Sequence, residues 1–389
     1  MKNHKKLFLV LFAVISFTCT TYSQNLAINE VMASNSSTIA DEDGDYEDWI
    51  ELYNYGTEPV NLYGYGLSDS YNKPYKWVFP EITIQPGEFL LIFASSKNKT
   101  NPAHQLHTNY GISADGEEII LTNPNGVLVD ELLPIPLPSD ISYGRSPDGT
   151  GSWLYFNEPT PGAANLTQGY NEILDPPAFS HQRGFYDLPF ELSITHPDPE
   201  VTIVYTLDGS DPDIDNTGGN TFAYKNQYPK EPGDPFGPFL YHGYTSHNYD
   251  SPIYIYNKSA KADKLTHISS TIDAQPSYFP TTPVSKGMVV RAKVFKPGAM
   301  ESKTLTYTFF VGNTFNQHTL PIISFTTQAS NLFDYDNGIY VAGADFDSWR
   351  NANMNTIISD WNKPANYTRK DDEWEQPAHI EIFDNNVIN

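Results

Sequence analysis

The sequence predicts an all-β fold built from tandem β-sandwiches. Aromatic residues make up 14% of the chain, which also contains 30 prolines and 25 glycines, a composition typical of folded β proteins that are rich in turns. Short alternating apolar segments are separated by clusters of Gly, Pro, Asn and Asp, as in sandwich folds. A chain of 389 residues is long enough for about two or three domains.

The N-terminus, residues 1–23, has the plan of a secretory signal peptide. Lysines precede an apolar run over residues 7–17, and Thr21 and Ser23 are the small residues that a cleavage site requires. The run is shorter than the roughly 20 residues that cross a bilayer, so we expect a secreted or cell-surface protein with no membrane span after signal cleavage. Cys19, the only cysteine, lies in this segment. Lipidation of Cys19 is the alternative, and the mature chain has no thiol for a disulfide.

The net charge of the chain limits the classes of partner that it can bind. The formal net charge is −24 at pH 7, and binding to phosphate backbones or anionic membranes needs clustered Lys and Arg. Nucleic acid and anionic membrane surfaces are therefore poor candidates. Cations and neutral polymers fit better, and we expect a cell-surface or extracellular polymer, glycan or protein as the partner.

The first predicted module covers residues 25–165. Its predicted strands are short, apolar or alternating, and are bounded by turn-forming clusters. They cover residues 25–34, 49–54, 77–79, 88–94, 118–122 and 127–132. In the second of them, alternation places Ile50 and Leu52 on one face and Glu51 on the other.

Seven motifs are spread over the whole of this module. They are INEVMASN at 28–35, DWIELYN at 48–54, VNLYGY at 60–65, IQPG at 84–87, LTNPNG at 121–126, SYGR at 142–145 and PTPGAAN at 159–165. Together they resemble the bacterial lamin tail domain. The resemblance implies an immunoglobulin-like β-sandwich used for attachment or interaction, and it supplies no catalytic residues.

The densest charge in the sequence is the acidic loop, residues 41–48. Carboxylates at Asp41, Asp43 and Asp45 are the hard oxygen ligands that calcium prefers. The glycine of the loop does not stand where the EF-hand pattern needs it, so a solvated acidic turn is the alternative. No cofactor is otherwise expected.

The second predicted module covers residues 170–312. Strands are predicted at residues 189–194, 202–207, 251–256 and 304–311 and within 289–298. A tight turn follows the second of these strands. We therefore interpret Asp208 and Asp211 as turn residues and not as a catalytic pair.

Four segments of this module carry a second resemblance. They are YTLDGSDP at 205–212, SPIYIY at 251–256, VVRAKVFKPG at 289–298 and SKTLTYTFFV at 302–311. They are similar to the fibronectin-III-like domain at the C-terminus of chitobiase and β-hexosaminidase, which implies a second sandwich without the glycosidase site. The sequence departs from this family by an insertion over residues 216–248, which we expect to loop out.

The insertion is rich in aromatic residues. Tyr228, Phe236, Tyr241 and Tyr244 are candidates for stacking on sugar rings, which would make this a glycan-binding surface. The alternative is that the rings pack the insertion onto its own sandwich, which is the commoner role of aromatic side chains.

The C-terminal segment, residues 313–389, begins a third region. LPIISFTT at 320–327, NLFDYDNGIYVAG at 331–343 and ANYTRKDDEWEQPAHIEIFD at 365–384 resemble the beginning of the CotH, or spore-coat-protein-H-like, kinase family. The resemblance implies the incomplete start of an α+β domain, whose phosphoryl-transfer residues would lie beyond residue 389. Gly338 and Gly343 do not form a phosphate-binding loop. We therefore expect this chain to be a piece of a longer protein and not an enzyme by itself.

The function expected from these patterns is that of an exported, non-catalytic binding and presentation region of a multidomain CotH-family protein. A secreted CotH-type protein kinase is the first alternative, and a glycan-binding module is the second.

Overall fold

The computed structural model describes residues 25–272, 280–312, 320–358, 363–370 and 372–384. Strands predominate over helices in this part of the chain and form several sheets, which confirms the predicted all-β class of immunoglobulin-like sandwiches. The chain divides into two compact units, Met1–Gly169 and Tyr170–Asn389. The predicted signal peptide lies outside the described residues. The α+β character of the C-terminal segment stays a prediction.

The first unit contains short strands joined by turns. Its strands are β1 (Leu26–Met32), β2 (Asp48–Asn54), β3 (Val60–Asn61), β4 (Gly66–Ser68), β5 (Trp77–Val78), β6 (Thr83–Ile84), β7 (Phe89–Ala94), β8 (Leu106–His107), β9 (Ile119–Thr122), β10 (Leu128–Leu132), β11 (Ser142–Ser146), β12 (Ser152–Phe156) and, at the junction with the second unit, β13 (Gly169–Tyr170). One described sheet has the order β13-β12-β11-β1-β2-β7-β8, and a second has the order β10-β9-β4-β5.

The core of the first unit is drawn from both of these sheets. Ile28 and Ile50 come from the larger sheet and Leu67 and Leu121 from the smaller one, and all four are fully buried. Their alternation along the strands is what turns them to a common interior. The two sheets therefore enclose the apolar interior of a sandwich.

A bulge in β1 changes which residues share a face. The pairing register between β1 and β2 shifts between Ile28 and Glu30, so that Asn29 is the extra residue. Because a bulge resets the alternation, Ile28 and Val31 both reach the core. The same shift explains why strict alternation along this strand does not predict the environment of Glu30.

The second unit has more, and mostly smaller, sheets. Its strands are β14 (Ala178–Phe179), β15 (Gly184–Tyr186), β16 (Phe190–Leu192), β17 (Ile194–Thr195), β18 (Thr202–Thr206), β19 (Asn220–Tyr224), β20 (Leu240–Tyr244), β21 (His247–Asn248), β22 (Ile253–Ile255), β23 (Met288–Phe295), β24 (Leu305–Val311), β25 (Ile322–Thr326) and β26 (His379–Phe383). The α-helices are α1 (Ala329–Phe333) and α2 (Gly343–Ala352), and 3₁₀ turns lie at Ile214–Asn216, Leu265–His267, Asn366–Thr368 and Asp372–Trp374.

The largest described sheet of this unit has the order β15-β24-β23-β18-β21. The long strand β23 alternates buried and half-buried residues, and its Val290 and Ala292 pack with Ile255 and Leu192 from the facing β16-β22 pair. Strands β19-β20 and β25-β26 form two separate two-stranded sheets of this unit. The predicted module boundary near residue 312 stays a prediction.

Over the described ranges, no helix combines the length and the apolar character needed to cross a membrane.

Candidate functional site

Two glutamates lie buried in the first unit, on the central strands of its larger sheet. Glu30 in β1 and Glu51 in β2 are fully buried, and neither has an ion-pair partner among the described residues. The segment 159–165 covers them. The hydroxyl of Thr160 donates to Glu30 Oε2 at 3.4 Å, and the N–H of Gly162 donates to Glu51 Oε2 at 2.5 Å. The segment that closes the predicted module is therefore fastened to the sheet by two acids.

Burial changes the charge state of these two acids. Desolvation raises the pKa of Glu30 to about 7 and that of Glu51 to about 8. Hydrogen bonds from Ser142 to Glu30 and from Gly162 to Glu51 oppose this rise without cancelling it. Because a neutral carboxyl costs far less to bury than an unpaired carboxylate, each acid retains its proton up to near-neutral pH.

The three predicted calcium ligands of the acidic loop do come together. Single oxygen atoms of Asp41, Asp43 and Asp45 lie within 4.8 Å of one another. The ammonium group of Lys97 lies among them, with its Nζ 2.5 Å from Asp41 Oδ2, 3.3 Å from Asp43 Oδ2 and 2.6 Å from Asp45 Oδ2. Lys99 adds a second ammonium 2.7 Å from Asp43 Oδ2.

This arrangement fits a neutralised turn better than a calcium site. Burial acts to lower the pKa of Lys97, but its hydrogen bonds to the three carboxylates outweigh burial and hold that pKa well above its usual range. Calcium requires six to eight oxygen ligands, and here the oxygens already surround a lysine. A calcium ion would have to displace the ammonium of Lys97 from these oxygens. Calcium binding by the loop therefore stays a prediction.

The predicted insertion, residues 216–248, is a hairpin and not an open loop. Strands β19 and β20 pair antiparallel, with Asn220 opposite Tyr244 and Tyr224 opposite Leu240. The chain then returns to the large sheet, where β21 pairs with β18. The hairpin forms a two-stranded sheet separate from the large sheet, so the expectation that the insertion loops out of the sandwich stays a prediction.

Part of the insertion is buried against the C-terminal segment. Tyr228 is fully buried in a cluster with Ile272 and Phe346, and its hydroxyl accepts a hydrogen bond from the N–H of Gly343 at 3.1 Å. Desolvation holds the pKa of Tyr228 well above its usual range. A buried ring cannot stack on a sugar, so Tyr228 is removed from the predicted glycan-binding set.

A buried ion pair joins the same two segments. Lys225 Nζ lies 2.6 Å from Asp347 Oδ2, and the two residues are only 6% and 4% exposed. The hydroxyl of Tyr335 donates to the same oxygen at 2.9 Å. The rings of Tyr335 and Phe239 lie 4.9 Å and 4.6 Å from the ammonium, so cation–π contacts complete its surroundings.

Arg350 in α2 fixes the main chain of the insertion. It is 2% exposed, and its Nε donates to the carbonyl of Pro229 at 2.7 Å while another guanidinium nitrogen donates to the carbonyl of Lys230. A third nitrogen donates to Thr356 O at 2.8 Å. Because a guanidinium offers five donors in a rigid fork, this one side chain holds two segments together.

The remaining predicted glycan-binding residues differ in exposure. Tyr241 is 69% exposed, Phe236 is 38% exposed and the neighbouring Phe239 is 46% exposed. Tyr244 is half-buried and packs against the cluster of Phe222. The hairpin therefore has one face that packs inward and one that presents aromatic rings to solvent.

Asp208 and Asp211 occupy structural positions in the second unit. Asp208 Oδ1 accepts hydrogen bonds from the N–H and the hydroxyl of Ser210, at 3.0 Å and 2.6 Å. Asp211 is paired with Arg291 at 2.8 Å and with Lys293 at 2.6 Å. These contacts hold the turn after β18 and leave neither acid placed as half of a catalytic pair.

Comparison with known families matches both units. Residues 20–134 match the family model of the lamin tail domain, and residues 192–309 match the model described as Fn3 associated. No curated protein matches the chain. Residues 20–134 therefore carry a lamin tail domain, which is immunoglobulin-like, and residues 192–309 carry an Fn3-associated domain.

Proposed function

We propose that this chain is an exported, non-catalytic binding and presentation region, in which the first unit attaches the protein and the second supports a C-terminal, CotH-like domain. The observation that carries the proposal is the joint core of the insertion and the C-terminal segment. Phe222 packs with Ala329 and Phe333, and Tyr228 packs with Phe346. A hairpin buried in this way is suited to hold the following segment in a fixed position.

The test of presentation is to loosen that joint core. Arg350→Ala removes the donors to Pro229 and Lys230, so amide hydrogen exchange over residues 329–352 should accelerate at least about tenfold, because local opening costs less once those bonds are lost. The exposed Lys303 provides the matched control, since Lys303→Ala also removes a cation. Equal exchange in both variants would contradict the presentation role.

The first alternative is a secreted CotH-type protein kinase, with its phosphoryl-transfer residues beyond residue 389. Incubation of the chain with radiolabelled ATP and a generic protein acceptor tests whether this chain transfers phosphate by itself. We expect no incorporation above a buffer blank, and incorporation above it would overturn the non-catalytic proposal.

The second candidate is glycan binding through the outer face of the hairpin. The exposure of Tyr241, Phe236 and Phe239 favours it, because exposed aromatic faces are suited to stack on sugar rings. Affinity electrophoresis on chitin-like and plant polysaccharides tests it with Tyr241→Ala. Tyr254→Ala is the control, since Tyr254 is 57% exposed on another strand. Retardation that Tyr241→Ala abolishes and Tyr254→Ala leaves intact would support this function, and identical mobility of all three proteins would remove it.

A further inference from the structure

A basic pocket lies in the second unit of this acidic protein. Its volume is about 600 Å³, within the range of roughly 300–1,000 Å³ typical of small-molecule sites. It is bounded by the end of β18, by residues 258–266, by the start of β23 and by α1. Four lysines line it, Lys258, Lys261, Lys264 and Lys286, although the chain as a whole has a formal charge of −24.

Most of the acidic charge in the pocket is already engaged. Asp263 is paired with Lys286 at 2.5 Å. Asp208 accepts hydrogen bonds from Ser210, as described above, and from the N–H of Thr245 at 3.0 Å. Of the two aspartates in the lining, Asp263 is therefore paired with a lysine, and Asp208 is the acid that acts on Lys258.

Three lysines are left without a carboxylate partner. Among the residues that the structure describes, Lys258, Lys261 and Lys264 have no acidic oxygen within ion-pair distance, and Lys258 makes only a 3.4 Å hydrogen bond to Leu207 O. Burial lowers the pKa of Lys258. The negative charge of Asp208 opposes this shift, and repulsion from Lys264 and Lys286 adds to it. A concentration of like charge around a partly buried ammonium is relieved when an anion binds.

Part of the remaining lining is apolar. Leu207, Tyr256, Val289 and Leu332 contribute side chains to the wall, so the pocket combines a cationic region with a surface suited to a ring or a hydrocarbon. Its volume is far larger than an inorganic ion requires. The negative charge of the whole chain disfavours a long polyanion, because the overall field repels it.

We propose that this pocket binds a small organic anion, whose carboxylate or phosphate group lies against Lys258 and Lys264 and whose ring or apolar part lies against Tyr256 and Val289. Charged hydrogen bonds to the lysines supply selectivity for an anion, and the apolar wall supplies contact area. The site uses neither Tyr228 nor Arg350, and it shares Ala329 and Leu332 of α1 with the joint core of the presentation role.

The experiment compares two probes of nearly the same shape by fluorescence titration of the whole chain. 8-Anilinonaphthalene-1-sulfonate carries a negative charge, and N-phenyl-1-naphthylamine carries none. We expect the anionic probe to bind saturably, at least about tenfold more tightly than the neutral one, and to weaken as salt is raised. Equal affinities, or no saturable binding of the anionic probe, would overturn the proposal without any variant.

Variants then locate the site. Lys258→Gln/Lys264→Gln should weaken binding of the anionic probe about tenfold, whereas Lys303→Gln, which removes the same type of charge outside the pocket, should leave it unchanged. An equal effect of both variants would place the probe elsewhere and overturn the assignment.

Competition distinguishes the two anionic groups. Displacement of the probe by D-glucuronate supports a carboxylate ligand, and displacement by glucose 6-phosphate supports a phosphate ligand. Displacement by neutral glucose to the same extent would contradict an anion site.

Discussion

The two units bury ionisable groups in opposite ways. In the first unit Glu30 and Glu51 are buried without a cation, and each is accommodated by a raised pKa and by hydrogen bonds from neighbouring residues. In the second unit Lys225 and Asp347 are buried as a pair 2.6 Å apart. The carboxyl protons of Glu30 and Glu51 are lost as pH rises. The pair of Lys225 and Asp347 is instead stable only while both partners are present. The first arrangement therefore makes stability depend on pH, and the second makes it depend on the joining of two distant segments.

The largest expected effect breaks the ion pair. Lys225→Met leaves Asp347 buried with its charge uncompensated and should destabilise the second unit by about 3–5 kcal/mol. Asp347 Oδ1 already lacks a hydrogen-bond partner among the described atoms, so the hydroxyl of Tyr335, which donates to Oδ2, is what remains to stabilise the carboxylate. The loss in the free energy of unfolding is measured by urea unfolding, monitored through the hydrogen exchange of residues 329–352.

A double variant provides the control for this prediction. Lys225→Met/Asp347→Leu replaces both charges with apolar groups, and such replacements are often neutral or stabilising. It should recover most of the lost stability. A double variant as unstable as Lys225→Met would show that the residues matter by shape and not by charge.

The elements that local patterns specify were predictable from the sequence. Strands β2, β7, β9, β18 and β23 follow from apolar alternation and from the turns that bound them. The coming together of Asp41, Asp43 and Asp45 was also predictable, because they alternate within one short loop. Strand β12 was missed because its sequence, SWLYF, does not alternate, although turn-forming residues flank it.

The remaining features depend on contacts between distant residues. Lys225 and Asp347 are separated by 122 positions, and nothing in either local sequence indicates a partner. Likewise, Lys97 lies 52 to 56 residues after the three aspartates, so its ammonium could not be placed among the carboxylates. Because of the bulge at Asn29, Glu30 does not lie on the face of the sheet that simple alternation along the strand predicts.

The intermediate effect is a pH dependence of the first unit. The pKa values of Glu30 and Glu51 rise from 4.5 to about 7 and about 8 on folding. Below pH 4.5 both acids are protonated in the folded and unfolded states. Between pH 4.5 and 8 the folded state holds more protons, so the free energy of unfolding falls as pH rises. We expect a fall of about 2–4 kcal/mol, at roughly 1.4 kcal/mol per pKa unit and allowing for water that enters around the ionised acids.

Glu51→Gln isolates this contribution, because the amide stays neutral at every pH. The variant should lose about half of the decrease between pH 5 and 8.5 in urea unfolding, while the exposed Glu58→Gln should follow the wild type. Burial lowers the pKa of His107 and acts in the opposite sense below pH 6.5, but it is common to all three proteins. Parallel curves for wild type and Glu51→Gln would contradict a buried, protonated Glu51.

The smallest expected effect concerns the acidic loop. There the ammonium of Lys97 compensates negative charge, as a bound proton does at Glu51. With Lys97 among the carboxylates, millimolar calcium or a chelator should move the melting temperature of the wild type by less than about 1 °C. Lys97→Met should cost about 1–2 kcal/mol, between the values for exposed and for buried pairs, because Asp45 is exposed but the side chain of Asp41 is fully buried. It should also gain a calcium-dependent rise of about 2–4 °C, since Asp41 and Asp45 then lack their lysine while Asp43 keeps only Lys99.

Lys99→Met is the matched control for the loop, because Lys99 contacts Glu42 and Asp43 but not the central oxygens of Asp41 and Asp45. It should remain insensitive to calcium. A wild type that calcium itself stabilises would mean that the ion displaces Lys97 at little cost. In that case the loop would be a calcium site for which Lys97 competes. Bound protons at Glu30 and Glu51 and the ion pair of Lys225 with Asp347 would then be the two remaining ways in which described residues compensate buried charge.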